Sequence, residues 1–327
     1  MNKYKAIALV SGGLDSILSA LWMQKLGYEV IPLFFETPFF TPKKAKSATC
    51  AAGLTLTVQN ISEDFLQMLK HPRYGFGKNF NPCVDCHGLM FRKAAEFMAE
   101  SGADFLISGE VLGQRRMSQR MDTLNAVRKL SGVAELIIRP LSQKLLPDTK
   151  PIVEGWIDKN NLLDFNGRGR KRQIQLAKEF KLSTFVSPGG GCLLTESNYC
   201  KKLKDLFDYD QLDVRQADLL KYGRQFRING NMKLLVGKTE QDNEMIEKLA
   251  ANYILLTPEY VTGPLGLILH KGKPSEDEIR LAASILLAYT NKAETEDSVL
   301  YGKKNNLNLK AQVCKMSLEK MKNYHLN

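Results

Sequence analysis

Three stretches of this 327-residue chain carry residue types at spacings that could do chemistry. The first is Ser11-Gly12-Gly13-Leu14-Asp15-Ser16. Two adjacent glycines let a backbone turn sharply and approach an anion with no Cβ in the way. The first amides of a following helix have no internal partner and point at whatever occupies the turn. Ser11 and Ser16 add hydroxyls, so the stretch reads as a phosphate site. The second stretch is Cys83-Val84-Asp85-Cys86-His87. Its Cys-x-x-Cys spacing brings two sulfurs onto one metal or within disulfide reach. At a helix N-terminus the dipole and free amides lower a thiol pKa, so two reactive thiols are expected. The third is Ser187-Pro188-Gly189-Gly190-Gly191-Cys192. A thiol beside three glycines suits a sulfur carrier or cluster ligand better than a structural cysteine. Cys50, Cys200 and Cys314 read as spectators.

These stretches need elements to hold them. Ala6 to Val10 is an apolar run that predicts a buried parallel strand. Ile17, Leu18, Leu21, Trp22 and Leu26 follow at helical spacing. Further strands are expected at Glu29–Phe35, Leu54–Val58, Asp104–Ser108 and Glu135–Arg139, with helices between them. Pro32 is awkward inside a central strand and marks an edge or a strand start. Strands alternating with helices predict an α/β fold with a doubly wound, parallel, five-stranded sheet. Ligands of such sheets sit at the carboxyl ends of the strands, where the loops after Val10, Phe35 and Ser108 would converge. The loop from Tyr74 to Asn81 should lead into a helix bearing Leu89, Met90, Phe91, Ala94 and Phe97.

Composition shifts after about Tyr209, and two domains are expected, 1–205 and 206–327. The second is a smaller α+β module. Leu234-Leu235-Val236-Gly237-Lys238 precedes a helix expected at 242–250. Strands are expected near 253–256, 265–269 and 299–304, and a long helix at 275–289. The Lys-rich tail after residue 303 is expected to be partly exposed.

The net charge is +11, which favours a polyanionic partner. Two basic segments could supply the contacts: Arg115, Arg116 and Arg120 in the first, and Arg168, Arg170 and Arg172 in the second. Guanidinium forks suit phosphates, and flanking glycines let them reach a nucleic-acid backbone. No apolar run is long enough to span a bilayer, and no secretory h-region precedes the first strand, so no membrane partner and a cytoplasmic location are expected. Six cysteines are too few for a secreted disulfide scaffold of this length.

The Ser11–Ser16 loop lacks the Gly-Lys-Ser/Thr ending of a Walker loop and the G-x-G-x-x-G of dinucleotide folds. It resembles the pyrophosphate loop of the N-type ATP pyrophosphatases. Taken with Asn81-Pro82-x-x-x-Cys86, Arg139-Pro140-Leu141 and Gly190-Gly191-Cys192, residues 5 to 200 resemble the ATP-dependent tRNA thiolases. The pattern is similar to the tRNA 2-thiouridylases, with kinship to the 4-thiouridine synthetases.

The resemblance implies an adenine nucleotide alpha hydrolase-like fold, with ATP and Mg²⁺ as cofactors. It matches Ser11, Gly12, Gly13, Asp15 and Ser16 to the pyrophosphate loop that holds ATP; Phe35 and Gly109, placed by the sheet order at the carboxyl ends of their strands, are candidates to wall the adenosine, with core packing the other reading of Phe35. It gives Cys86 and Cys192 catalytic roles, with Asp15 holding the metal or ordering the loop. Position 83 departs from the 2-thiouridylases, which carry Asp there. Cys83, Cys86 and Cys192 together are similar to the ligand trio of thiolases that hold a [4Fe-4S] cluster with one iron open. A persulfide route through Cys86 and Cys192 stays open beside it.

The implied activity is adenylation of a tRNA uridine and replacement of its carbonyl oxygen by sulfur. The sulfur donor would be a cysteine desulfurase, a sulfur carrier or free sulfide. Leu234 to Tyr289 resembles the RNA-binding domain of ribosome-quality-control factors. Two other readings remain: an amide-forming ligase of the same superfamily, which needs no thiol trio, and a non-catalytic RNA-binding factor, which needs no ATP.

Overall fold

The structure, a computed structural model, describes residues 3–115, 118–182 and 192–326. The chain forms two compact units, Met1–Thr195 and Glu196–Asn327. The division falls earlier than the expected one after residue 205.

The first unit contains β1 (Lys5–Leu9), α1 (Leu14–Lys25), β2 (Glu29–Glu36), α2 (Lys43–Ala51), β3 (Thr57–Asn60), α3 (Ser62–Lys70), α4 (Cys83–Ser101), β4 (Phe105–Ser108), α5 (Met121–Ser131), β5 (Ile137–Ile138), α6 (Lys150–Val153) and α7 (Lys171–Glu179). The strands form one parallel sheet in the order β3-β2-β1-β4-β5. This is the expected doubly wound sheet. Two strands differ in extent: β3 starts at Thr57 rather than Leu54, and β5 is two residues long behind a 3-10 turn at Ala134–Leu136. Pro32 lies on an interior strand, yet β3 pairs with β2 only from Leu33 onward. Val10 N donates to Leu33 O, so residue 33 faces β1 and residue 32 faces the still-open side. The missing N–H at Pro32 therefore breaks no ladder bond.

Helix α1 is apolar on two sides because it packs in two directions. Ile17, Ala20 and Met23 bury against Ala6, Ala8, Val30, Phe105 and Ile107 of the sheet. Leu14 and Leu18 meet Leu176 and Ala177 of α7, with Val111, Leu141 and Phe165. Each such side chain contributes about 1.5–3 kcal/mol by leaving water.

The second unit contains α8 (Ser197–Asp208), α9 (Val214–Leu219), β6 (Arg224–Asn229), β7 (Met232–Val236), α10 (Glu240–Leu249), β8 (Ile254–Pro258), β9 (Gly266–His270), α11 (Glu276–Ala288), β10 (Glu296–Lys303), β11 (Asn306–Cys314) and α12 (Leu318–Met321). The strands form an antiparallel sheet in the order β11-β10-β8-β9-β7-β6. Its inner strands are covered on both faces. Leu234, Leu256 and Ile268 pack on Ile279, Ala282, Ala283 and Leu286 of α11. Their neighbours Leu235, Leu255 and Leu267 pack on Leu219, Ile246 and Ala250. Ser275 and Glu278 close a capping box at the start of α11. Helix α8 joins this unit through Asp205, whose carboxylate takes Arg227 of β6 at 2.9 Å and Lys233 of β7 at 3.2 Å.

The strands at both edges, β6 and β11, and the inner strand β7 were not expected from the sequence. The expected exposed tail is largely the edge strand β11, in which Ala311 and Val313 are the buried residues. Among the described residues no helix is long and apolar enough to cross a membrane.

Candidate active site

Strand order reverses between β1 and β4, so a crevice opens over the carboxyl ends of those two strands. The Ser11–Ser16 stretch lies there. Gly12 has φ +80°, and a Cβ on it would come within 2.8 Å of the Ala45 backbone in α2. Gly13 caps α1 with no side-chain hydrogen bond, which leaves the first-turn amides without a cap. Ser16 Oγ donates to Gly13 O at 2.8 Å and accepts from Ser11 N at 3.3 Å, which ties the turn to the helix. Gly109, just past β4, presses on this turn. A Cβ there would lie 2.5 Å from Ser16 N and Cα. Phe35 is buried in β2, 3% exposed.

The Asp15 carboxylate accepts from Gln114 Nε2 at 2.6 Å, and Arg170 Nη2 lies 3.6 Å from the same oxygen. Gln114 in turn accepts from Gln173 Nε2 at 2.9 Å.

Cys83 and Cys86 occupy the first turn of α4. Asp85, between them, is buried and accepts from Arg73 N at 2.8 Å and Tyr74 N at 3.0 Å. That pins the 72–82 loop to the helix. Asn81 Nδ2 reaches Cys83 Sγ at 3.5 Å. Asn79 Nδ2 donates to Thr195 O at 2.8 Å, while Thr195 N and Oγ1 both bond to Cys192 O, at 3.1 and 2.7 Å. Leu193 N bonds to Phe39 O past the end of β2. The 72–82 loop and the segment carrying Cys192 are thus tied together. The glycines before Cys192, Gly189 to Gly191, lie outside the described residues.

The thiols feel each other. Burial pushes the Cys86 thiol well above the ordinary range, and Cys192, Cys83 and Asp85 push it further by charge repulsion. This corrects the expectation of a lowered pKa at Cys86. Desolvation and three potential anions outweigh the helix dipole there. Among the described residues no three His, Cys, Asp or Glu side chains are grouped so as to hold a metal ion. Cys50 and Cys314 are exposed, and Cys200 is buried in α8.

One constellation escaped the sequence reading. His87 Nδ1 donates to Glu110 Oε1 at 2.8 Å, and Arg139 Nε donates to Glu110 Oε2 at 2.8 Å. Glu110 and Arg139 are 5% and 3% exposed. Burial alone would raise the Glu110 carboxyl; the Arg139 guanidinium and then His87 overcome it and bring it to about 2. Glu110 follows Gly109, which touches the Ser11–Ser16 turn, while His87 follows Cys86. The carboxylate therefore bridges the phosphate-type turn and the thiols. Adjacency to Cys86 and to Arg139-Pro140 was the only sequence signal for it.

The arginines divide. Arg115, Arg120 and Arg168 are exposed, and Arg116 lies outside the described residues. Arg172 is also exposed but bonds Asp164 Oδ1 at 2.6 Å and stacks 4.3 Å from the Phe165 ring. Arg170 is turned inward, 16% exposed.

Fold and site together describe a nucleotide-type α/β unit with thiols beside its first turn, followed by an α+β unit. Residues 2–145 match the family model described as thiamine biosynthesis protein (ThiI). Residues 223–325 match that of the NFACT protein RNA binding domain. A protein named "Probable tRNA sulfurtransferase" from Methanosarcina mazei is 32% identical over 124 residues, 34% of this chain and 29% of that protein. The tRNA-specific 2-thiouridylase MnmA of Sulfurimonas denitrificans is 31% identical over 118 residues, 33% of this chain and 35% of that protein. A solved 4-thiouridine synthetase–RNA complex with bound ATP is similar at 20% identity and a TM-score of 0.36, over 54% of this chain and 51% of that one. The chain spans about a third of the length of these curated relatives.

Proposed function

We propose that the chain is an ATP-dependent tRNA sulfurtransferase that adenylates a carbonyl oxygen of a tRNA base, a uridine, and replaces it with sulfur. The observation that carries this is the tie between the thiols and the glycine turn, made by His87, Glu110 and Gly109. An anion-binding turn and a sulfur site within one crevice are what adenylation followed by sulfur attack requires.

The uncapped amides of α1, with Ser11 and Ser16, hold the phosphates of ATP, and Gly12, Gly13 and Gly109 let the turn close around them. Asp15 Oδ1 is buried and has no partner among the described residues, so a carboxylate oxygen remains for Mg²⁺. The base oxygen attacks the α-phosphorus, pyrophosphate leaves, and the O-adenylated carbon becomes open to sulfur. The outer sulfur of a Cys192 persulfide attacks that carbon and AMP leaves. The Cys86 thiolate then attacks Cys192 Sγ, and the S–S bond to the base sulfur breaks to release the thiocarbonyl. The resulting Cys86–Cys192 disulfide is reduced by an external dithiol. The target base must be unpaired or flipped out to reach the crevice. Arg115, Arg116, Arg120 and Arg168, with the C-terminal unit, hold the tRNA backbone.

The thiols also fit an iron–sulfur cluster. Burial and the charges of Cys192 and Cys83 raise the proton affinity of the Cys86 thiol, so a thiolate there is costly unless a cationic group joins it. Cys83, Cys86 and Cys192 would hold a [4Fe-4S] cluster. When bound, such a cluster supplies one open iron that can hold sulfide. The donor of that sulfur is a desulfurase, a carrier protein or free sulfide, in the reducing cytosol.

Anaerobic protein incubated with ATP, unmodified tRNA and a dithiol reductant, with either sulfide or a cysteine desulfurase and cysteine as the sulfur source, should produce a thionucleoside detectable by mass spectrometry of the digested tRNA. No product, with ATP binding intact, would reject sulfur transfer. ATP-dependent pyrophosphate release that survives replacement of Cys83, Cys86 and Cys192 together, with no thionucleoside formed, would favour amide-ligase-type chemistry instead.

A further inference from the structure

Arg170, expected to contact RNA, has the surroundings of the nucleotide turn. Helix α7 docks on α1 through Leu176 and Ala177 against Leu14 and Leu18. That packing carries Arg170, the residue before α7, to the N-terminal end of α1. Its Nη2 stands 3.6 Å from Asp15 Oδ2, which is too long for a hydrogen bond. The same oxygen is already bonded to Gln114 at 2.6 Å. Arg170 Nε is buried and has no partner among the described residues. A guanidinium so placed keeps its Nε–H unused beside a helix N-terminus that no side chain caps. The other described arginines of its segment differ. Arg172 is committed to Asp164 and Phe165, and Arg168 faces solvent.

We propose that Arg170 is a phosphate-contacting residue of the nucleotide site, and that it binds the pyrophosphate that leaves during adenylation. The inference rests on the ATP-dependent reading above. In that step a bond forms between the base oxygen and the α-phosphorus. The bond from that phosphorus to the oxygen bridging to the β-phosphate breaks, and pyrophosphate leaves with the electron pair. Arg170 keeps its proton and donates N–H bonds to oxygens whose negative charge grows. A planar fork satisfies two such oxygens at once, which a lysine cannot. Gln114 and Gln173 hold Asp15 in place, so the guanidinium can swing to the phosphates without leaving Asp15 bare.

The test is ATP-dependent pyrophosphate release by the full chain with unmodified tRNA, alongside filter binding of that tRNA. Arg170→Ala should slow release about 100-fold at saturating tRNA, with tRNA affinity within about twofold of the parent. Arg170→Lys should recover part of the rate, and a melting curve matching the parent shows the variant is folded. Arg168→Ala should instead weaken tRNA binding. Loss of tRNA affinity in Arg170→Ala with turnover intact would overturn the proposal in favour of an RNA contact. No change in either quantity would overturn it as well. A parent protein that releases no pyrophosphate would instead sink the ATP-dependent reading itself.

Discussion

The two units handle charge in opposite ways. The first gathers charge at one end of a parallel sheet: the buried Glu110 and Arg139 and the half-buried Asp15 all stand at or beside the carboxyl ends of β1, β4 and β5. A parallel sheet with helices on both sides leaves its strand ends as the place for polar work. The second covers both faces of an antiparallel sheet, and its buried charges pin a helix to strands. Lys233 is fully buried and shares the Asp205 carboxylate with Arg227. Burial does not tell these cases apart. What separates them is whether the charged group lies next to a turn with unused donors, as Asp15 does, or between packed elements, as Asp205 does.

Four experiments bear on that contrast. The largest effect is expected for Cys192→Ser, which should abolish thionucleoside formation while tRNA binding persists; retained thiolation would contradict the assignment. Next, Gly109→Ala should weaken nucleotide binding by more than tenfold, because its Cβ would meet backbone atoms of Ser16 at 2.5 Å. Gly266→Ala in the second unit should leave nucleotide binding alone, since the nearest atom there is the Leu286 Cδ1 at 3.0 Å, which can move. Titration calorimetry with a non-hydrolysable ATP analogue reads both, and equal effects would dissolve the distinction.

The third experiment is acid unfolding followed by hydrogen exchange in each unit. Glu110 titrates at about 2 in the fold against an ordinary value of 4.5. Its contribution, roughly 3 kcal/mol, is complete above the ordinary value and is lost as pH falls through 4.5 towards 2. Glu110→Gln should flatten that loss in the first unit only.

The fourth concerns Lys233, which burial lowers from 10.5 to about 8 against the opposing pull of Asp205. The unfolded chain then holds this proton more tightly than the fold, so the second unit should gain stability as pH rises from 8 towards 10.5. Lys233→Met should remove that slope and cost little at neutral pH, because Arg227 still pairs with Asp205. A strongly destabilised variant would make Lys233 a keystone of the unit.

β1, β2, β4, β8 and β9 were legible because each reads as a short apolar run with buried residues on both faces. β6 and β11 were not. They lie at the edges, and β11 shows the core only Ala311 and Val313 among polar residues. β6 has its free edge partly covered by the chain end, where Arg227 N meets Tyr324 O. Helix α8 was expected in the first domain because its apolar stripe says that it packs, but not on what. Asp205 decides that by pairing with Arg227 and Lys233.

The glycine turn, the Cys-x-x-Cys helix start and the isolated Cys192 could be picked out from local order alone. Each is a short-range pattern in which neighbouring residues shape one turn of backbone. The state of the Cys86 thiol, the Glu110 bridge between His87 and Arg139, and the inward turn of Arg170 depend on residues tens of positions apart. Desolvation and Coulomb interaction act through space, so these were decided only when the chain had folded.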